Sequence, residues 1–352
     1  KRFLLERFIV FIVLALVVLS FVSFSFAEES KTITIGVSVG DLRLERWKRD
    51  MDYMVARAKE LGANVYAVSA DGDEQKQIAD IENMLTKGID VLITIPTNSK
   101  TLAPAVEAAH ADNVKVIAYD RIIENSDLDY YITFDMLGVG KLQAQYLIDR
   151  MPKGRYFLLA GPKTDNNALL FREGQMMVLQ PYIDKGDVVV VGDQWAEGWL
   201  SENAMQLTED VLTANNNQID AILASNDSTA NGAVQALMEQ GLAGKVLVTG
   251  QDADLAACQR IVAGTQTMSV YKPLPKLAAA AIDLAFNIVQ GKTIETNAVY
   301  NNGQKDVPSI NLDIIAVDQS NILETVVADG FHSFEDVYKN VPVDQRPEWP
   351  KK

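Results

Sequence analysis

The stretch TITIGVSVGDLRLERW, residues 32–47, contains the structural unit that recurs along this chain. Residues 32–39 form a β-branched, apolar run that is typical of a buried strand. A polar turn follows, and helical spacing of the apolar residues begins at residue 45. A buried strand followed by a helix is half of a βαβ unit, so this stretch predicts a parallel sheet covered by helices.

The same alternation continues far along the chain. Further strands are predicted at 63–69, 91–95, 115–119, 130–134, 155–160, 188–192, 220–225, 245–250 and 265–271. Helices are predicted at 45–61, 73–87, 101–112, 136–150, 200–214, 227–241, 254–263 and 274–290. Several of the strands are apolar at nearly every position, which is typical of a parallel sheet buried on both faces. The sequence therefore predicts an α/β protein.

The number of strands favours two lobes over one sheet. About five strands precede Asp135 and about five follow it, and no low-complexity linker lies between them. We therefore predict two similar doubly wound parallel-sheet lobes joined by a three-segment hinge, with chain crossings near 134–136, 270–273 and 306–310. The predicted N-terminal lobe is 31–134 plus 272–308, and the predicted C-terminal lobe is 135–271 plus 309–340.

The net charge and the small numbers of cysteine and histidine disfavour several classes of function. The 352 residues carry 32 Lys and Arg against 47 Asp and Glu, a formal net charge of −15, which disfavours nucleic acid as a partner. The single cysteine, Cys258, excludes a disulfide framework, and the two histidines, His110 and His332, leave little material for a metal centre. We therefore predict no metal site and no cofactor.

The first 27 residues have the layout of an export signal. Residues 1–7 are basic, residues 8–19 are uninterrupted apolar residues, and Ser25-Phe26-Ala27 has the pattern of a cleavage site. The uncharged run 8–27 is also long enough to be an uncleaved membrane anchor. Both interpretations predict an extracytoplasmic protein, either periplasmic or held on the outer face of the cytoplasmic membrane, because the cations precede the apolar run.

Polar and aromatic side chains follow the predicted strands. The carboxyl ends of parallel strands meet at one edge of the sheet, where ligands of open α/β sheets bind. The side chains at these ends are Arg46, Trp47, Asp120, Arg121, Asn167, Arg172, Trp195, Trp199, Asn226, Asp227, Asp252 and Lys272. Such carboxylates, cations and amides suit the hydroxyls of a monosaccharide. Tryptophan rings suit its C–H faces, and we expect Trp47 and Trp199 to hold the sugar ring between them.

Taken singly, these residues also have structural interpretations. Asp120-Arg121 is typical of a surface ion pair, Trp195 and Trp199 have the spacing of a core pair, and Asn226-Asp227 is typical of a helix cap. The binding hypothesis depends on the repetition of the same residue types at separate strand ends.

Several of these strand ends carry a family resemblance. The segments DLRLERW (41–47), AYDR (118–121), DNNALLFR (165–172), DQWAEGW (193–199), ASNDSTA (224–230), GQDAD (250–254) and SVYKP (269–273) closely resemble the periplasmic D-xylose-binding proteins of ABC transporters. NNGQKDVPS (301–309) and DGFH (329–332) resemble their C-terminal part. The resemblance extends from about residue 33 to about residue 332.

The resemblance implies the type I periplasmic binding protein fold, with two lobes that close on one D-xylose. It further implies a monomer that delivers the sugar to the membrane permease of an ABC transporter. Carried onto the matching positions, the ligand contacts would be Arg46, Trp47, Asp120, Arg121, Asn167, Trp199, Asn226, Asp252 and Lys272.

Two other classes of function are less consistent with the sequence than a sugar carrier. An enzyme is disfavoured because the sequence lacks the GxGxxG and GxxxxGK[ST] motifs of nucleotide-binding and phosphate-binding loops. Cations predicted beside Asp120 and Asp252 would also lower the pKa of these carboxyls and unfit them as general acids. The main alternative is an extracytoplasmic xylose sensor, tethered by residues 8–27, that signals to a membrane kinase.

Overall fold

The computed structural model describes residues 32–349, apart from the side chain of Glu45. The predicted export segment, residues 1–27, lies outside the described residues. Within the described range, no helix combines the length and the apolar character needed to cross a membrane.

The larger of the two main sheets is predominantly parallel. Its strands are β1 (Thr34–Val39), β2 (Asn64–Ser69), β3 (Val91–Ile95), β4 (Lys115–Tyr119), β5 (Tyr130–Phe134), β11 (Ala298–Asn301) and β12 (Asp306–Leu312). They lie in the order β11-β12-β5-β4-β3-β1-β2, and among these strands only the β11–β12 pair is antiparallel. Strand β3 is buried along its whole length, as its continuous apolar sequence predicts.

The smaller main sheet is parallel throughout. Its strands are β6 (Gly154–Ala160), β7 (Val188–Trp195), β8 (Ala221–Ala224) and β9 (Leu247–Val248), in the order β7-β6-β8-β9. A separate antiparallel pair is formed by β10 (Ser269–Tyr271) and β13 (Ile315–Val317). A bridge between Gln251 and Val270 connects β10 to the end of the smaller sheet.

Helices cover both faces of each main sheet. They are α1 (Glu45–Glu60), α2 (Glu74–Thr86), α3 (Ala103–Ala111), α4 (Met136–Arg150), α5 (Asn166–Asp184), α6 (Ser201–Ala214), α7 (Asp227–Glu239), α8 (Leu255–Val262), α9 (Leu274–Val289) and α10 (Phe334–Val337). On the larger sheet, α1 packs with α9 on one face and α2 packs with α3 on the other. On the smaller sheet, the corresponding pairs are α4 with α5 and α6 with α7.

The predicted fold class is confirmed: the protein is α/β, with two doubly wound lobes joined by three chain segments. The first two segments lie between β5 and α4 and between β10 and α9, close to the predicted positions. The third was expected near 306–310, but the backbone of β12 pairs with β5 as far as Leu312, so this stretch is still part of the larger sheet. We therefore propose that the chain crosses at 313–314, and that 309–312 belongs with the N-terminal lobe. The other lobe boundaries remain a proposal.

The sequence patterns missed helix α5 and strands β11, β12 and β13. Helix α5 packs so closely on α4 that two glycines form the contact. A Cβ atom at Gly140 would lie 2.0 Å from the carbonyl oxygen of Phe171, and one at Gly174 would lie 2.2 Å from that of Leu137. Both clashes are with backbone, so a side chain at either position would force the helices apart.

We expect Gly140→Ala to lower the free energy of unfolding by about 2–3 kcal/mol, because an added methyl group in a close-packed contact strains the backbone. Urea unfolding measures this loss. Gln145→Ala, at an exposed position of the same helix, is the control and should change stability by less than about 0.5 kcal/mol. Equal stability of the two variants would contradict the tight α4–α5 contact.

Candidate functional site

The ends of strands from both main sheets surround a cavity of about 230 Å³. All nine ligand contacts that the family resemblance implies contribute to its lining: Arg46, Trp47, Asp120, Arg121, Asn167, Trp199, Asn226, Asp252 and Lys272. All of them are buried. The structure therefore brings these nine residues together around one cavity.

Arg46 lies at the centre of the cavity wall, in the first turn of α1. Its Nε is 3.1 Å from Asp50, its Nη1 is 3.3 Å from Asp252, and its Nη2 donates a short hydrogen bond to Asp120. Burial disfavours the charged guanidinium, but the three carboxylates outweigh burial and raise the pKa of Arg46 well above its usual value. Arg46 therefore remains a fixed cation that connects the two lobes.

Asp120 follows β4 in a left-handed conformation, with φ of 62°. Its Oδ2 accepts from Arg46 and lies 3.7 Å from Nζ of Lys272, and its Oδ1 accepts from Asn167 Nδ2 at 3.1 Å. Burial by itself raises the pKa of this carboxyl, yet the neighbouring cations and the hydrogen bond from Arg46 lower it below the usual value. Asp120 is therefore ionised, which makes it a hydrogen-bond acceptor and a poor general acid.

Lys272 and Asp252 form the opposite side of the same charge cluster. Nζ of Lys272 lies 3.0 Å from Oδ1 of Asp252, and the lysine side chain is only 1% exposed. Lys272 follows β10, and Asp252 follows the turn after β9 with φ of 99°. Two carboxylates and two cations, Arg46 and Lys272, thus share one buried cluster.

Arg121 does not pair with its neighbour Asp120, contrary to the surface ion pair considered from the sequence. Its Nε lies 2.8 Å from Oδ2 of Asp165, and its Nη1 donates to the carbonyl of Pro96 at 3.1 Å. The left-handed backbone at Asp120 sends the two adjacent side chains to different partners. The predicted cations beside Asp120 therefore exist, but they are Arg46 and Lys272.

Asp165 is a site residue that the sequence reasoning did not select. Its carboxylate accepts from the backbone N–H of Asn167 at 2.9 Å, from Trp199 Nε1 at 3.0 Å and from Arg121. It is the N-cap of α5, so a sequence signal existed, because an Asp before a polar helix start is a typical cap. That signal predicts the cap but not the bonds to Trp199 and Arg121.

The two tryptophans have different surroundings. The ring of Trp47 faces the guanidinium groups of Arg46 at 4.3 Å and of Arg121 at 5.2 Å. The ring of Trp199 packs edge-on to Phe171 at 6.2 Å and fills the space where a Cβ of Gly161 would lie. Both rings line the cavity, and the expected stacking of a sugar between them remains a prediction.

Asn226 is a helix cap, as its sequence context predicts, and its contact with a ligand stays a prediction. Its Oδ1 caps α7 by accepting from the backbone N–H of Thr229 at 2.9 Å, and its side chain also lines the cavity. In contrast, Arg172 and Trp195 do not line it. Arg172 pairs with Asp193, and its guanidinium lies 5.0 Å from the ring of Trp195.

Three residues that line the cavity each contain a buried polar atom that has no hydrogen-bond partner among residues 32–349. These atoms are Nε1 of Trp47, Oδ1 of Asn167 and Oε1 of Gln251. Burying a polar atom without a partner costs about 1–3 kcal/mol, so such atoms are rare unless a ligand supplies the bond. One donor and two acceptors fit a ligand whose groups both donate and accept. Gln251 stands next to Asp252 in sequence but was not selected as a contact.

The lining is balanced in charge. Its basic residues are Arg43, Arg46, Arg121, Arg260 and Lys272, and its acidic residues are Asp120, Asp165, Asp227, Asp252 and Asp254. Equal numbers of each give a formal charge of zero, which favours a neutral ligand. Within the described part of the chain, no cluster of His, Cys, Asp or Glu is arranged to hold a metal ion.

The chain is similar to known solute-binding proteins. Residues 35–293 match the family described as periplasmic binding protein domain. The D-xylose-binding periplasmic protein of Haemophilus influenzae is 53% identical over 315 residues, which is 90% of this chain and 95% of that protein. The D-xylose-binding periplasmic protein of Escherichia coli is also 53% identical, over 87% of this chain and 93% of that protein.

Solved structures share the fold. An ABC transporter solute-binding protein of Clostridium phytofermentans with bound β-D-glucose superposes with a TM-score of 0.82 at 31% identity, covering 86% of this chain and 99% of that one. A carbohydrate transporter solute-binding protein of Chloroflexus aurantiacus in complex with D-glucose gives a TM-score of 0.83 at 33% identity, covering 87% and 98%.

Asp120 should make the stability of the protein depend on acid pH. Its pKa is lower in the folded protein than in the unfolded chain, so its stabilising contribution is complete above about pH 4 and is lost as the pH falls through the folded value. We expect Asp120→Asn to lower the free energy of unfolding by about 3–5 kcal/mol at pH 7, because it leaves buried cations short of a partner. This difference from the wild type should shrink below about pH 4.

Urea unfolding from pH 3 to pH 8 measures this dependence. Asp52→Asn is the control, because Asp52 pairs with Lys48 at the exposed surface and should change stability by less than about 1 kcal/mol at any pH. A loss in Asp120→Asn that stays constant down to pH 3 would contradict a lowered pKa at Asp120.

Proposed function

The chain belongs to the periplasmic binding protein domain family, and from this premise we propose that it captures a monosaccharide, D-xylose, in the cavity between its lobes. The family is one of periplasmic binding proteins, and the two relatives at 53% identity are named as periplasmic proteins. We propose the same extracytoplasmic location here, and delivery of the sugar by the protein, as a monomer, to the membrane permease of an ABC transporter.

The observation that carries the proposal is the set of buried polar atoms left without partners at Trp47, Asn167 and Gln251. Each sugar hydroxyl both donates and accepts, so one neutral ligand can satisfy a donor and two acceptors at once. The charge balance of the lining supports a neutral ligand over an anion or a cation. The fixed carboxylates and cations then offer charge-assisted bonds, which are stronger than bonds between neutral groups.

Binding and release are proposed to follow from motion of the lobes. Arg46, on α1, reaches Asp120 after β4 and Asp252 after β9, so it joins residues from both sheets. The bond to Asp252 can form only when the lobes are close together, and a sugar that bridges the same residues favours that state. The permease would then recognise the surface of the closed protein.

The proposal of D-xylose rests on the relatives and not on residue types. The two relatives at 53% identity are named for D-xylose, whereas the two solved neighbours hold glucose at 31% and 33% identity. The relatives favour a periplasmic carrier over the tethered sensor, whose anchor would be residues 8–27, outside the described residues. No reaction is proposed for the site, since Asp120 is held as a carboxylate by its cations.

Isothermal titration calorimetry of the purified protein tests the ligand directly. We expect D-xylose to bind with a Kd of about 1 μM or lower, which corresponds to roughly −8 kcal/mol. L-Arabinose, D-ribose, D-glucose and D-galactose should each bind at least about tenfold more weakly, a difference of about 1.4 kcal/mol. Tighter binding of glucose than of xylose would replace the proposed pentose by a hexose, and absence of binding by every sugar would refute the proposed function.

Lys272→Met should weaken sugar binding by about 2–5 kcal/mol, because it removes a buried donor and leaves Asp252 without its nearest cation. Calorimetry measures the change in Kd. Lys276→Met, one turn further along α9 at an exposed position, is the matched control and should leave the Kd unchanged. Equal affinities of the two variants would remove Lys272 from the binding site.

A further inference from the structure

His332 occupies a buried position beside the sugar cavity but does not line it. It ends the segment DGFH, residues 329–332, which follows the π-helical turn Leu323–Val327. Its Nε2 lies 2.8 Å from the carbonyl oxygen of Ala253. Ala253 is the residue next to Asp252, so His332 contacts the turn that presents a candidate ligand-binding carboxylate.

The Asp252–Ala253 turn needs such support because its backbone is unusual. Asp252 has φ of 99° and Ala253 has φ of 51°. Left-handed conformations are costly for residues other than glycine, and alanine has no polar side chain to stabilise one. The turn is held by bonds from its surroundings: Ala253 N–H donates to Ser269 Oγ at 3.1 Å, and the Ala253 carbonyl accepts from His332 and from the Cys258 thiol at 3.4 Å.

Arg49 connects His332 to the opposite lobe. It lies on α1 three residues after Arg46, hence on the same face of the helix. Its Nη1 is 3.3 Å from Nδ1 and 3.2 Å from Nε2 of His332, and its Nη2 donates to the Phe331 carbonyl. Its guanidinium also lies 3.9 Å from the centre of the Phe331 ring.

The protonation state of His332 agrees with these contacts. Burial, together with the charge of Arg49, lowers the pKa of His332 to about 4. The ring is therefore neutral at pH 7, so Nε2–H donates to the Ala253 carbonyl while Nδ1 accepts from Arg49.

We propose that His332, supported by Arg49, is a positioning residue that holds the Asp252–Ala253 turn in its binding conformation and fastens it to α1. The segment 329–332 then forms a second connection between the lobes, in addition to the one that Arg46 makes in the cavity. Both connections start from α1 and end at the Asp252–Ala253 turn. Arg46 contacts the Asp252 side chain, whereas Arg49 contacts His332, which in turn contacts the Ala253 backbone. This inference rests on the proposed function.

The experiment compares D-xylose binding by the wild type, His332→Leu and His332→Gln. Leucine fills the space without a donor, so we expect a Kd about tenfold higher. Glutamine can donate to the Ala253 carbonyl and accept from Arg49, so His332→Gln should stay within about threefold of the wild type. Stopped-flow tryptophan fluorescence should show the loss mainly as faster dissociation, because the closed form is the state that is weakened.

Ser333→Ala is the matched control for a merely structural effect. Ser333 is exposed and caps α10 by accepting from the Asp336 backbone N–H, so its loss disturbs the same segment without touching the turn. Its Kd should equal that of the wild type within about twofold, even where thermal unfolding shows a lower Tm. An equal rise in Kd for Ser333→Ala and His332→Leu would overturn the positioning role.

Arg49→Gln decides the question if His332→Leu does not fold, and we expect it to raise the Kd by about fivefold. An unchanged Kd in Arg49→Gln, or in a folded His332→Leu, would overturn this inference while the proposed function stands. A wild type that binds none of the sugars would overturn the proposed function and this inference with it. Failure of His332→Gln to restore binding, when Ser333→Ala binds normally, would show that the hydrogen bond to Ala253 is not the cause.

Discussion

The buried charge cluster of Arg46, Asp120, Asp252 and Lys272 is the constraint on which the rest of the structure depends. Removing charges from water is costly, and a buried ion pair stabilises a protein only when its geometry is nearly complete. Each member comes from a different strand end, so the cluster forms only when both sheets and both lobes are correctly placed.

Much of the fold was predictable because buried parallel strands have continuous apolar sequences. Hydrophobic periodicity failed to predict the elements in which a proline or buried polar residues interrupt the apolar pattern. Helix α5 contains Pro181, which usually ends a helix, and it buries Arg172 and Gln175 against the neighbouring polar network. Strand β12 contains Pro308 and begins at Asp306, so it lacks the apolar run that marks the other strands of its sheet.

The sequence was sufficient to predict which residues line the site, but not which of them form hydrogen bonds and ion pairs with each other. Residue types at strand ends identified the lining, since the carboxyl ends of parallel strands converge. Pairing could not be predicted, because adjacency in sequence suggested that Asp120 pairs with Arg121. In the structure Arg121 pairs with Asp165, which sequence alone marks only as a helix cap. A left-handed residue redirects a side chain, and no pattern of residue types predicts that φ at Asp120.

Backbone strain is concentrated around the cavity, which argues that the geometry of this site is maintained at a cost. Among the described residues other than glycine with positive φ, only Trp199 and Ala253 are not Asn or Asp, the types that tolerate this conformation best. Trp199 is held by Asp165 and by the space that Gly161 leaves, and Ala253 by His332 and Ser269. Such a conformation costs about 1–3 kcal/mol per residue, and it persists only where several contacts from the surrounding structure hold the backbone in it. Contacts within the protein, from Asp165 and Gly161 to Trp199 and from His332 and Ser269 to the Asp252–Ala253 turn, therefore hold these residues in place before any sugar binds.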